Sequence, residues 1–179
     1  PTRATTQIIQ LMYMVGIAGA MKDALKIIEE ARESGYDIAA DSGLYDAFSA
    51  CIGTSIFDDG WQNEYGMCRT EDLLINSGFY SGQYCDDRLF DYLRQKYPNT
   101  LVTAFVCDTE DILTAIKKPY VFVSTNAADG PYYPGMGHPE VSGTFPRLIG
   151  KYVRDEKELT LMEAIRKITY LPAVRYGIP

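Results

Sequence analysis

The first forty or so residues leave this chain few architectures to choose from. Thr6-Gln7-Ile8-Ile9-Gln10-Leu11-Met12-Tyr13-Met14 reads as a buried strand, broken by Gly16 and Gly19. Met21, Ala24, Leu25, Ile28 and Ala31 then fall at helical spacing, while Lys22, Asp23, Lys26, Glu29, Glu30 and Glu33 fill the opposite face. Gly35 stands where a left-handed C-cap belongs. Tyr36-Asp37-Ile38-Ala39-Ala40 gives a second short strand, ending at Asp41-Ser42-Gly43. Two strands joined by a helix within one sheet run parallel and are linked by a right-handed crossover.

Regular pattern is lost over about 44–86, where glycines alternate with aromatics such as Phe57, Trp61 and Phe79. That is too long for an ordinary connection and predicts an irregular insertion with short strands of its own. A helix over 87–97 follows, stopped by Pro98, and then a strand over 101–106. The next helix starts at Asp108 as N-cap and ends before Pro119. Tyr120-Val121-Phe122-Val123 has the composition of a strand buried on both faces. Two helices close the chain, over 144–155 and 161–169, the second announced by the capping box Thr160-x-x-Glu163. Repeated strand then helix fits either an open doubly wound sheet or part of a (β/α)₈ barrel, since a complete barrel takes about 250 residues.

At 179 residues the chain is long enough for one domain with a sizeable core. The net charge of −7 and the lack of a basic run argue against a nucleic-acid surface. No apolar run approaches the length of a membrane span, and the first residues do not read as a signal peptide, so a cytoplasmic protein is expected. Cys51, Cys68, Cys85 and Cys107 stand 17, 17 and 22 residues apart, without a C-x-x-C pair or a Cys/His cluster. That spacing makes a structural zinc site improbable and favours reduced thiols.

Chemistry is expected where the Tyr120–Val123 strand opens into Ser124-Thr125-Asn126 and a Gly/Pro-rich loop. The loop carries Asp129, the chain's only histidine (His138) and Glu140. Parallel α/β proteins place their sites at the C-terminal ends of strands. The same residues point further. Gly137-His138-Pro139-Glu140-Val141-Ser142-Gly143-Thr144-Phe145-Pro146-Arg147, with Gly150-Lys151-Tyr152-Val153-Arg154 after it, resembles a stretch of the N-acyl-D-amino-acid deacylases of the amidohydrolase superfamily. Leu161–Thr169, Leu171-Pro172-Ala173-Val174-Arg175-Tyr176-Gly177-Ile178 and the Asp41-x-x-x-Tyr45 element extend the likeness from about Gln7 to the last residue.

The resemblance implies the C-terminal part of a metal-dependent-hydrolase (β/α)₈ barrel, a single partial domain. The N-terminal barrel half and a β-sandwich would lie elsewhere in a longer polypeptide. It implies hydrolysis of the amide bond of N-acyl amino acids by a zinc-activated water in the intact protein. By the same resemblance Gln10 and Asn126 occupy positions of metal ligands, Gln10 in place of a histidine and Asn126 in place of an aspartate that also serves as base. Asn126 and Asp129 are the candidate catalytic residues, open to a second reading as ordinary turn residues. Tyr45, His138 and Glu140 are the candidate substrate-binding residues, Tyr45 at a position the family uses to hold the tetrahedral intermediate. Glu140 is acidic where the family carries a basic or amide residue.

Two functions follow. In one, the chain is part of a zinc-dependent deacylase, binds no metal alone and turns over no substrate alone. In the other, it is a deacylase-like binding or assembly module without metal. Either way a partial barrel exposes strand edges, so self-association or pairing with the rest of the polypeptide is expected. Neither nucleic acid nor membrane is an expected partner.

Overall fold

The computed structural model describes residues 4–14, 20–64, 68–125 and 138–179. In chain order its elements are β1 (Thr6–Ile8), α1 (Leu11–Met14), α2 (Met21–Glu33), β2 (Ile38–Ser42), β3 (Ala47–Cys51), α3 (Trp61–Glu64) and β4 (Leu73–Ile75). There follow α4 (Asp87–Lys96), β5 (Leu101–Phe105), α5 (Thr109–Ile116), β6 (Val121–Val123), α6 (Glu140–Arg147), α7 (Leu161–Ile168) and α8 (Tyr170–Tyr176). A π-helical stretch, Leu148–Asp155, continues α6.

β1, β2 and β6 form a parallel sheet in that order, with Thr6 opposite Ile38 and Ala40 opposite Val121. One face carries Ala40, Val121 and Val123 into a core shared with Leu25 and Ile28 of α2, Ile112 and Ile116 of α5, and Leu148, Tyr152 and Ala164. Strand alternation turns Ala39, Asp41 and Phe122 to the other face. No barrel is closed among the described residues, so the observed architecture is a three-stranded parallel α/β sheet.

The local signals explain these elements. The helix read from periodicity ends with Gly35 at φ 86°, its N–H donating to Arg32 O at 2.9 Å. Asp108 caps α5 by accepting from Glu110 N at 2.7 Å, and Thr160 and Glu163 form the expected capping box at α7. β1 is shorter than the pattern suggested. Gln10 adopts φ 54° and donates its N–H to Asp41 Oδ1 at 2.9 Å, which turns the chain out of the sheet before Leu11.

Helix α6 runs through Pro146, which has no N–H for the ladder, and the wider π turns follow it. Lys167 of α7 is buried and donates to Lys118 O at 2.6 Å and Val121 O at 3.0 Å, tying that helix to β6.

The strand over 101–106 does not join the parallel sheet. As β5 it lies at the centre of a second, antiparallel sheet ordered β3-β5-β4. This sheet has its own core, in which Phe57, Trp61 and Phe90 pack ring against ring at 5.3–6.3 Å beside Leu73, Ile75, Leu93 and Val102. The unit leaves the parallel sheet after β2 and returns to it before α5. Departure and return meet where Cys107 N–H donates to Asp46 O at 2.9 Å. Among the described residues no helix is long and apolar enough to cross a membrane.

Candidate functional site

The three parallel strands end on the same side, and their ends are joined by one carboxylate. Asp41 is 7% exposed at the end of β2. It accepts from Ser124 Oγ at 2.6 Å, from Gln10 N–H at 2.9 Å and from Gln7 Nε2 at 3.1 Å. Ser124 continues β6 through its N–H to Ser42 O at 3.1 Å, so the carboxylate bridges the C-terminal ends of all three strands. Hydrogen bonds to a charged acceptor are about twice as strong as neutral ones, which makes Asp41 the keystone of this rim. The spacing of the Asp41-x-x-x-Tyr45 element was visible in the sequence; the three donors, distant in the chain, were not.

A second group of side chains stands beside this rim. Tyr45, on the loop between β2 and β3, meets the His138 ring edge-on at 5.0 Å. Its hydroxyl points to Pro139 O at 3.5 Å. Arg147 lies over the same tyrosine ring, its Cζ 4.5 Å from the centroid, and donates through Nε to Leu44 O at 3.0 Å. Burial raises the Tyr45 phenol; Arg147 opposes that shift and Glu140 adds to it. The hydroxyl therefore stays a hydrogen-bond donor. Gly143 of α6 packs so closely that any side chain there would overlap the Tyr45 hydroxyl.

His138 is 5% exposed, and its surroundings are made of backbone. Nδ1 accepts from Glu140 N–H at 3.1 Å, which leaves Nε2 to carry the ring proton, and the ring also hydrogen-bonds the Ala47 backbone. Burial lowers the imidazole pKa, outweighing the Ala47 bond and the Asp46 charge that favour protonation. Glu140 Oε2 stands 3.9 Å from Nδ1, but a neutral ring makes this a contact and not an ion pair. Glu140 is 3% exposed at the start of α6, where a carboxylate suits the helix dipole. Its carbonyl accepts from Thr125 Oγ1 at 2.8 Å and Thr144 Oγ1 at 2.9 Å, which fastens α6 to the end of β6.

Tyr45, His138 and Glu140 are thus brought together, and Gln10 joins the rim through its backbone on the other side of Asp41. Asn126 and Asp129 lie outside the described residues. Among the described residues no three His, Cys, Asp or Glu side chains converge to hold a metal ion. Asp41 is already committed to three donors, so the described residues do not fit a metal centre. The thiols fit nucleophilic chemistry no better. Burial pushes Cys107 up to about 12 and Cys68 and Cys85 up to about 11, and all four cysteines are free thiols. Asp41, Ser124, Gly143 and Arg147 were not singled out from sequence as site residues, although all four lay inside the stretches that carry the resemblance or the expected strand-end chemistry.

No protein-family model matches the chain. Comparisons of sequence and of structure nevertheless point to one class, the amidohydrolases that deacylate N-acyl-D-amino acids. The chain is 26% identical over 166 residues to an N-acyl-D-glutamate deacylase of Alcaligenes xylosoxydans xylosoxydans, a match over 89% of this chain and 32% of that protein. An N-acyl-D-glutamate deacylase from Bordetella bronchiseptica, solved with zinc and a phosphonate mimic of the tetrahedral intermediate, superposes with a TM-score of 0.70 at 23% identity. That likeness covers 89% of this chain and 33% of the Bordetella chain. A D-aminoacylase described as defining a novel subset of amidohydrolases gives a TM-score of 0.71 at 22% identity, with the same coverage of 89% and 33%. The chain therefore spans about a third of the length of the proteins it matches.

Proposed function

We propose that this chain is the C-terminal barrel portion of an amidohydrolase that cleaves the amide C–N bond of N-acyl amino acids. The observation that carries the reading is a coincidence of place. The residues within the deacylase-like motif gather at the C-terminal ends of parallel strands, beside Asp41, where this architecture holds its chemistry.

Within the proposal, Asp41 fixes the three strand ends and is a positioning residue. Tyr45 is the group that meets substrate, its protonated hydroxyl donating to the oxygen that gains negative charge as the amide carbonyl becomes tetrahedral. The His138 ring and the Arg147 guanidinium hold the tyrosine ring in place. Asn126 and Asp129 are the proposed catalytic positions, Gln10 and Asn126 stand as substitutions at positions of the family's metal ligands, and His138 and Glu140 shape the substrate-binding wall. Zinc, with which the Bordetella enzyme was solved, would belong to the intact polypeptide; the role given to Tyr45 does not pass through it. The chain alone is expected to be inactive, and to associate with itself or with the rest of its polypeptide along the outer edges of β1 and β6.

Amine release from N-acetyl-D-glutamate and other N-acetyl-D-amino acids by the full-length polypeptide tests the reading. Turnover is expected, and Tyr45→Phe should lower kcat/KM by about a hundredfold with the fold unchanged. Amide hydrolysis that is absent from the full-length protein, or indifferent to Tyr45→Phe, would sink it.

A further inference from the structure

A cavity of about 360 Å³ opens between α4 and the turn that follows β4, in the part of the chain built on the antiparallel sheet. Gly78, at φ 79°, leads into that turn, and Ser81 N–H closes it onto Gly78 O at 3.2 Å, which leaves Phe79 and Tyr80 as its two central residues. Tyr92 and Tyr97 line the cavity from α4 and its C-terminal end, with Leu93 and Thr100 as its buried floor. Among the described residues no charged side chain lines it. Lys96 lines a neighbouring cavity of about 330 Å³ that shares Tyr97.

The four rings stand at steep angles to one another. Phe79 meets Tyr80 at 83° with centroids 5.2 Å apart, Tyr80 meets Tyr92 at 82° and 6.4 Å, and Tyr92 meets Tyr97 at 63° and 5.8 Å. Rings set this way wall a space from more than one side, and they remain open to water, Phe79 at 92% and Tyr92 at 42% exposure. Elsewhere Tyr45, Phe90, Tyr120, Tyr152 and Tyr170 each carry an arginine or lysine 4.5–5.6 Å from the ring centroid. Among the described residues no cation lies over any of the four cavity rings.

The face of an aromatic ring is the negative side of its quadrupole, so several rings around one space attract a positive charge. The rest of the lining decides which cation. Without a carboxylate, a primary ammonium or a metal ion gains too little to shed the water it holds tightly. A quaternary ammonium spreads its charge over methyl groups and suits ring faces. The chain's net charge of −7 favours the approach of such a cation from solution.

We propose that this cavity is a binding site for a quaternary ammonium group, held by the rings of Phe79, Tyr80, Tyr92 and Tyr97. The association proposed above runs along β1 and β6, in the other sheet, and none of the four rings belongs to the strand-end group. The site is therefore independent of the deacylase reading.

Choline, titrated into the full-length polypeptide by calorimetry, is the probe, and its neutral isostere 3,3-dimethyl-1-butanol is the control. Tyr92→Leu and Phe79→Leu keep apolar surface at exposed positions and remove one ring each. Choline binding is expected, weakened about tenfold by Tyr92→Leu and about threefold by Phe79→Leu, with circular dichroism unchanged and no displacement by the isostere. The proposal is overturned by an absence of choline binding, by the isostere binding equally well, or by undiminished affinity in both variants.

Discussion

His138 is the chain's only histidine, so its titration can be followed without interference from a second one. Burial holds its folded pKa below the ordinary value of 6.5. Above pH 6.5 both folded and unfolded states carry it neutral, and it contributes no pH dependence. As pH falls below 6.5 the unfolded chain takes up a proton that the folded chain resists, and stability is lost. Denaturant unfolding between pH 7 and 5 should therefore show falling stability in the native sequence. His138→Gln should flatten that slope; an equal slope in both proteins would place the titrating group elsewhere. The sequence offered this residue both as a loop histidine that fixes its turn and as a contact to substrate or metal, since histidine serves readily as either. The two backbone groups that occupy its nitrogens come from Glu140 and Ala47, and the second of these is 91 positions away by number, beyond any local pattern. Asp41 carries the opposite lesson. Its position at a strand end was legible, and its three donors were not. Asp41→Ala should leave Gln10 N–H, Ser124 Oγ and Gln7 Nε2 without their acceptor, at a cost of about 3–5 kcal/mol. Since about 1 kcal/mol shifts the melting temperature of a chain this size by 2–4 °C, calorimetry should record a fall of about 6–20 °C.

At the scale of elements, α6 is positioned by what it lacks. Gly143 lets the helix approach Tyr45 until the phenol hydroxyl fills the place a β-carbon would take. Gly143→Ala is expected to cost about 1–3 kcal/mol by overpacking. The double variant Gly143→Ala/Tyr45→Phe should recover most of that loss, because the clash is with the hydroxyl. Additive costs in a thermal-unfolding cycle would show that the two residues do not meet. Elements governed by local chemistry were read correctly: α2 by periodicity, α5 by Asp108, α7 by its capping box, and Val121–Val123 by its unbroken apolar character. The partner of a strand is not local information. Leu101–Phe105 looks like any buried strand, and only the distant pairing with Ala47–Cys51 and Leu73–Ile75 assigns it to the antiparallel sheet. The end of β1 was misread for a related reason, since Gln10 takes up φ 54° in company with Asp41, 31 residues later.

At the scale of the molecule, two hydrophobic cores lie under two sheets. Leu25, Ile116 and Tyr152 belong to one and Trp61, Ile75 and Phe90 to the other, and among the described residues no buried side chain is common to both. Cooperative units follow such packing, so a cavity cut in one core should loosen that core first. Ile75→Ala, at a side chain that is 0% exposed, should cost about 2–5 kcal/mol. Amide exchange should quicken across β3, β4 and β5 while β1, β2 and β6 keep their protection. A uniform acceleration through both sheets would mean that they unfold as one.

The hydrogen bond between Cys107 and Asp46 has a consequence for how such a molecule can change over generations. The antiparallel unit enters and leaves at adjoining points, so it hangs from the parallel sheet as a pendant hangs from a clasp. A lineage could lengthen, trim or exchange everything between those two residues while the strand-end carboxylate and the buried side of the parallel sheet stayed in register. Sequence change should therefore accumulate unevenly, rapid within the pendant and slow at the clasp.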